Sequence, residues 1–342
     1  MQKISTNDGL RIQYNENSGG IVSLKLDDTE LAQEVLSGFL VRDVANDSDY
    51  YSFQNGECSE LGLKLQSEFN ADENCVRISG SLTDITGKDR AVTLIFALPV
   101  NAVGWRWHED VRNSREIEER QEYLNGVNIN TGLNGMMSLY PLANISNQEH
   151  GLALALDMDM PAQYRIAYNA STKYFYIAYD FGLTKDTENF PSSALFKFVV
   201  YRTDSKWKFR SALKKLYDIF PEQFVCRSKD QGIWMPFTDV SSIEDWQDFG
   251  FKYHEGINNV PFDDMAGILS FRYTEPSTWW MKMEQELERT HENIMNLLHE
   301  KAKSGNRQAE ATIVSGSFDE NGRYQYLVRN TPWCNGAVFS SN

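Results

Sequence analysis

A chain of 342 residues, 41% hydrophobic and 13% aromatic, has a globular make-up and is too long for one ordinary core, so two domains are predicted. Its formal net charge of −15 argues against nucleic acid or an anionic membrane as a principal partner, since both are held by basic patches. Four cysteines (Cys58, Cys75, Cys226, Cys334) stand far apart with no Cys-x-x-Cys pair, which speaks against a zinc signature and a disulfide framework.

The negative charge fits a neutral or cationic ligand, and simple solubility explains it equally. Cys58 and Cys75 could meet across a hairpin, but buried free thiols are the expected state. No metal site or cofactor is expected. No apolar run approaches the roughly 18 residues that a membrane-spanning helix needs. Residues 1–9 hold no apolar signal segment, which for a genuine amino terminus predicts a cytoplasmic protein.

From residue 1 to 203 the hydrophobic pattern alternates with period two. The runs include 10–14, 21–26, 61–69, 75–82, 91–98, 152–158, 164–168, 174–181 and 195–201. Turn residues punctuate them, as in Asn-Ser-Gly-Gly at 17–20 and Thr-Gly-Lys-Asp at 86–89. Many short alternating strands predict a large antiparallel β-sandwich over 1–203. The period then changes: Phe209, Leu213, Leu216, Tyr217 and Phe220 fall on one helical face. A helix is predicted within 204–226, capped by Asp204 or Ser205, stopped by Pro221, and bridging two domains.

Residues 227–342 read as the start of a β/α domain. Ile233 to Phe237 forms a short strand, an aromatic and acidic loop carries Trp246, Tyr253, His254 and Glu255, and 266–273 forms a second strand stopped by Pro276. A helix is expected over 277–303, with Leu287, His291, Ile294 and Leu298 as its apolar stripe and His291 as a core histidine. Glu284, Glu286 and Glu288 crowd its expected start, and Gly305 ends it. A strand over 311–317 and a hairpin turn at Asn321-Gly322 complete the pattern. A (β/α)8 barrel takes about 250 residues, so residues 227–342 are expected to be a truncated barrel and the chain an amino-terminal portion.

With both halves laid out, the chain resembles the bacterial glycoside hydrolases that set a β-supersandwich before a (β/α)8 barrel, such as α-galactosidases and α-glucosidases. The likeness rests on Gly104-Trp-Arg-Trp-His-Glu-Asp-Val, on Gly135-Met-Met-Ser-Leu-Tyr-Pro-Leu-Ala, on the helix beginning Phe209-Arg-Ser-Ala-Leu, and on Gly232-Ile-Trp-Met-Pro-Phe. Tyr273-Thr-Glu-Pro-Ser-Thr-Trp-Trp and Pro332-Trp-Cys-Asn-Gly extend it. The resemblance implies O-glycosyl hydrolysis of an oligo- or polysaccharide by paired carboxylates. In those families the catalytic pair lies on later barrel strands, so no nucleophile or acid is carried over.

Two carboxyl groups must flank a scissile glycosidic bond. Asp239 and Glu275, following the first and second expected barrel strands, are the weak catalytic candidates; a cap or a helix-start charge explains each as well. Asp263-Asp264 reads as a solvated loop pair. Trp234, Trp246, Tyr273, Trp279 and Trp280 could form a sugar-stacking wall or ordinary packing. Lys252, His254 and Glu255 complete the expected substrate-binding set. Trp105, Trp107, His108, Glu109 and Asp110 form a knot read first as an inter-sheet plug. Walker loops, His-Glu-x-x-His and Gly-x-Ser-x-Gly are absent from the sequence. The alternative to the hydrolase is a non-catalytic carbohydrate-binding sandwich, or a structural or interaction module.

Overall fold

The computed structural model describes residues 1–125, 127–128, 136–137, 140–160, 162–186, 192–275, 277–319 and 321–340. The expected stop at Pro276 and part of the 135–143 segment lie outside the described residues. The chain divides into two compact units, Met1–Val225 and Cys226–Asn342.

The first unit is antiparallel throughout. A six-stranded sheet runs in the order Glu122–Asn125, Arg165–Asn169, Tyr174–Leu183, Arg90–Pro99, Gly38–Asp43, Tyr51–Ser52. An eight-stranded sheet carries Leu142–Ser146, Gly151–Leu156, Ser193–Arg202, Val76–Asp84 and Leu63–Ala71 at its centre. Alternation decides what each strand presents to the other sheet. Phe39 and Phe96 from one sheet meet Phe196 and Phe198 from the other, with ring centroids 5.3 Å apart for Phe39–Phe196 and 5.0 Å for Phe96–Phe198. This is a β-sandwich core.

The strand Ser193–Arg202 is buried on both faces over its second half, which explains its unbroken Phe-Val-Val-Tyr run. Phe198 and Val200 enter the sandwich core, while Val199 and Tyr201 lie under helix α1, Phe209–Ile219. Helix α1 buries Phe209, Ala212 and Leu216, and Tyr201 Oη donates to the Ala212 carbonyl at 3.0 Å. Each large side chain so buried contributes about 1.5–3 kcal/mol. The expected cap at Asp204 or Ser205 gives way to Lys208, held at φ 52°. Asp204 instead folds the preceding turn, and Pro221 opens a short 3-10 turn.

The second unit holds two small sheets. Ile233–Pro236, Phe251–Glu255 and Leu269–Phe271 pair in parallel, and α2 (Val260–Ala266) forms the crossover between the last two. Thr278–Lys282, Asn335–Ser340 and Tyr326–Asn330 then form an antiparallel sheet in that order. Helices α3 (His291–Lys303) and α4 (Arg307–Ser315) contribute Ile294, Leu298 and Ala309 to its core.

Four expectations are corrected here. Residues 278–282 are a strand, because Trp279 and Met281 reach the core cluster with Phe339 and Ala337 through pairing with Asn335–Ser340. The helix therefore starts at His291, with Thr290 Oγ1 accepting from Asn293 N at 3.2 Å, and Glu284–Glu288 precede it. His291 is exposed and bonds Tyr326 Oη through Nδ1 at 3.1 Å, so it is no core histidine. Residues 311–315 are helical, since Asn306 caps α4 by accepting from Ala309 N at 3.0 Å and the helix buries Ala309 and Thr312. The described residues therefore hold no incomplete barrel: a barrel repeats parallel strands and helices, whereas after the third parallel strand this chain turns antiparallel.

Candidate functional site

The parallel sheet of the second unit has two unlike faces. Register places Met235, His254 and Ser270 side by side on one of them. That face is covered, and Val240, Phe251, Ile268, Trp246 and Phe262 form its small core. Trp246 packs edge-on against Phe262 there, at 5.0 Å and 77°. Trp234, Tyr253 and Leu269 line up on the other face, followed by Pro236, Glu255 and Phe271. Parallel sheets are normally buried on both sides, yet Trp234 is 46% exposed, Leu269 56% and Phe271 38%.

Trp234 stacks near-parallel on Phe271, at 5.0 Å and 28°, and lies 6.2 Å from Tyr253. Its Nε1 donates to Glu255 Oε2 at 3.1 Å, which ties an acceptor-rich carboxylate to the edge of an aromatic platform. Tyr253 Oη donates to the Asp230 carbonyl at 2.5 Å and bonds Ser228 Oγ, so its ring is fixed too. At the carboxyl end of the first strand, Phe237 takes φ 59° and is 60% exposed. A bulky residue in that region costs about 1–3 kcal/mol and persists only where its surroundings hold it. Phe237 N donates to the Glu255 carbonyl at 2.7 Å, and Asn258 Nδ2 donates to the Phe237 carbonyl at 3.1 Å. The Phe237 ring then meets Tyr273 edge-on at 5.5 Å and 79°.

Each candidate carboxylate already has donors. Asp239 Oδ1 accepts from Ser241 Oγ at 2.7 Å and Ser241 N at 2.9 Å, and Asn259 Nδ2 reaches Oδ2 at 3.2 Å. The Ser241 hydroxyl is the largest influence holding the Asp239 pKa below the usual carboxylate value. Glu275 accepts from Tyr273 Oη at 2.6 Å through Oε1 and from Trp280 Nε1 through Oε2. The Tyr273 phenol is pushed up chiefly by that bond to Glu275, and the charges of Glu275 and Glu255 add to the rise. Tyr273 thus stands in the field of both carboxylates.

Of the substrate-binding set read from the sequence, Trp234, Glu255, Tyr273, Glu275 and Trp280 belong to this linked aromatic and acidic surface. Trp279 alternates away and packs on Phe339 at 6.2 Å in the neighbouring core. Lys252 falls at the register shift between the first two parallel strands, unpaired with Ile233 or Trp234, and lays its stem over Gly232, whose missing Cβ leaves room for it. His254 is fully buried: Nδ1 bonds Asp263 Oδ2 at 2.6 Å, and Ser270 Oγ donates to the same oxygen at 2.7 Å. Asp263 is likewise buried in α2, so it is no solvated loop residue. Phe271 escaped sequence reasoning, because only strand pairing shows that it shares a face with Trp234, and Phe237 joins the site only through its ring contact with Tyr273.

The knot at 105–110 lies in the first unit. Trp107 is fully buried and packs with Tyr123 and Phe175; His108 Nε2 bonds Ser146 Oγ at 2.8 Å, and burial pulls its pKa down to about 4. All four cysteines are free. Among the described residues no group of three or more His, Cys, Asp or Glu could hold a metal ion, and no helix is long and apolar enough to cross a membrane.

No protein-family model matches the chain, and no curated protein matches it. Among solved structures it is similar to a polysaccharide lyase at 14% identity and TM-score 0.37, over 60% of this chain and 34% of that one. It is similar to an α-N-acetylgalactosaminidase from Bifidobacterium bifidum at 12% identity and TM-score 0.39, over 72% of this chain and 46% of that one. A GH36 α-galactosidase from Geobacillus stearothermophilus aligns at 8% identity and TM-score 0.47, over 88% of this chain and 64% of that one. The chain thus spans less than two thirds of the length of each.

Proposed function

We propose that this protein is carbohydrate-active, as the sandwich-bearing portion of a glycoside-hydrolase-like protein, and that the open face of its parallel sheet binds a neutral oligo- or polysaccharide. The observation that carries the reading is the exposed stack of Trp234 on Phe271 with Glu255 bonded to the indole edge. An aromatic face packs against the C–H side of a pyranose ring, and a carboxylate beside it accepts hydroxyl hydrogens. Trp234 supplies the platform, Glu255 the first acceptor, and the Tyr273–Glu275–Trp280 cluster polar edges further along the surface. An open aromatic platform suits a millimolar affinity, about −4 kcal/mol.

The donors on Asp239 and Glu275 favour binding over proton transfer at this face. A glycosidic general acid needs a raised pKa, and Asp239 is shifted the other way. Tryptophan fluorescence and NMR titration against a panel of neutral oligosaccharides test the reading. Binding is expected in the wild type and lost in Trp234→Ala, with the fold intact by circular dichroism. A flat response across the panel would refute a sugar role. Aryl-glycoside hydrolysis abolished by Asp239→Asn or Glu275→Gln would replace the binding reading with the catalytic one.

A further inference from the structure

A second surface, in the first unit, has a different character. The turn before α1 carries Trp207, which is 57% exposed and stacks on no other described ring. The turn that presents it is tightly bonded. The Asp204 carbonyl accepts from Trp207 N at 3.2 Å, Lys208 N at 2.9 Å and Ser211 Oγ at 2.9 Å, and Ser205 Oγ donates to the Gln148 carbonyl at 2.9 Å. Phe209, 1% exposed, anchors the following residue in the core. An exposed indole on a preorganised turn loses little entropy when a ligand covers it. Lys208, between Trp207 and Phe209, holds φ 52°, a strained conformation that its neighbours must sustain.

Two clefts flank this turn, of about 710 and 300 Å³; Trp207 and Arg210 line both, and Lys206 lines the smaller. The larger cleft is lined by equal numbers of cations and carboxylates, whereas the smaller sets Arg112, Lys206, Lys208 and Arg210 against Asp110 alone. Lys215 pairs with Asp8 and Lys214 with Asp218, while Arg202 pairs with Asp27. Asp204 and Asp110 accept backbone N–H groups of their own turns, from Lys206 at 2.8 Å and Arg112 at 2.6 Å. Glu149 approaches only His150, at 3.9 Å. The remaining cations, Arg112, Lys206, Lys208 and Arg210, have no carboxylate within ion-pair distance among the described residues. In a chain of net charge −15 the smaller cleft is a local positive surface beside an exposed indole.

We propose that the Trp207 turn and the smaller cleft beside it form a binding site for an acidic saccharide, one carrying carboxylate or sulfate groups. The indole takes the C–H face of a sugar ring, and the Arg210 and Arg112 guanidinium groups take the planar anion in a forked geometry that lysine cannot offer. The surrounding negative charge repels such a ligand elsewhere and guides it to this turn. Nucleic acid could use the same groups, but four cations on an acidic protein give little of the counterion release that sustains its binding.

Isothermal titration calorimetry of the full chain with trigalacturonate and with a chondroitin sulfate tetrasaccharide tests the site, with uncharged maltotriose and a thymidine decamer as controls. At least one acidic saccharide is expected to bind, more weakly as salt rises, and at least tenfold more weakly in both Arg210→Gln and Trp207→Ala. Both side chains are exposed, and circular dichroism checks that the variants stay folded. Trp234→Ala is expected to leave this binding unchanged, which separates it from the face in the second unit. No binding of either acidic probe, unaltered binding in Arg210→Gln or Trp207→Ala, or equal binding of the decamer would overturn the proposal.

Discussion

The sheet that carries Trp234 is braced from behind by one buried carboxylate, and removing it is the sharpest test of how the surface is held. Asp263 Oδ2 accepts from both His254 and Ser270, on adjacent parallel strands, and all the carboxylate's hydrogen bonding rests on that oxygen because Oδ1 has no partner. In Asp263→Ala the buried His254 ring and the half-buried Ser270 hydroxyl lose their acceptor, at about 1–3 kcal/mol each at most. With the cavity left behind, about 3–4 kcal/mol is expected, a large share of the 5–15 kcal/mol typical of a domain. Asp263→Asn keeps one acceptor and places its amide where the unpaired oxygen stood. It loses only the charge-assisted part of the bonding and is expected to cost about 1–2 kcal/mol.

Urea unfolding followed by tryptophan emission reads this out, since Trp234, Trp246, Trp279, Trp280 and Trp333 all lie in the second unit. With a slope of about 1–3 kcal/mol per molar urea, the alanine variant should move the second unit's midpoint by at least about 1 M. His254 lies between Tyr253 and Glu255, so sugar binding at the open face should weaken in step with that loss. A midpoint unchanged within about 0.3 M would show that the buried bonds carry no net stability, and the bracing argument would be wrong.

Two further outcomes test the first unit and the thiols. His108 has a folded pKa of about 4 against an ordinary 6.5, so the unfolded chain takes up its proton first as pH falls. Stability should therefore be complete above about pH 6.5 and decline towards pH 4, by at most about 1.4 kcal/mol per pH unit; a His108→Gln variant that keeps the same slope between pH 6.5 and 4.5 would contradict this. Among the thiols, burial pushes Cys75 up to about 12 and raises Cys58 and Cys334, whereas Cys226 is exposed. Ellman's reagent at pH 8 should label Cys226 rapidly and the other three only on unfolding, and rapid labelling of a second thiol would show the burial to be wrong.

Much of the first unit is legible in sequence because alternation is a local property. A run such as 91–98 declares its own strand, and Phe209, Leu213 and Leu216 declare a helix without reference to any partner. The second unit defeats the same reading where local pattern and long-range pairing disagree. Residues 278–282 extend because Asn335–Ser340, more than fifty residues on, supplies their hydrogen bonds. Residues 311–315 carry β-branched side chains, yet a cap at Asn306 and burial of Ala309 and Thr312 make them helical. Trp207 had a signal: an aromatic among lysines, out of phase with the helical stripe that follows.

By itself the sequence determined the change from two-residue to helical periodicity near position 205, the negative charge, and the aromatic and acidic residues of the second unit. Tertiary structure decided which of those residues meet. Register across three parallel strands put Trp234, Glu255 and Phe271 on one open face and turned His254 inward to Asp263. Composition and period act residue by residue, whereas a shared face depends on which strands pair and in what register.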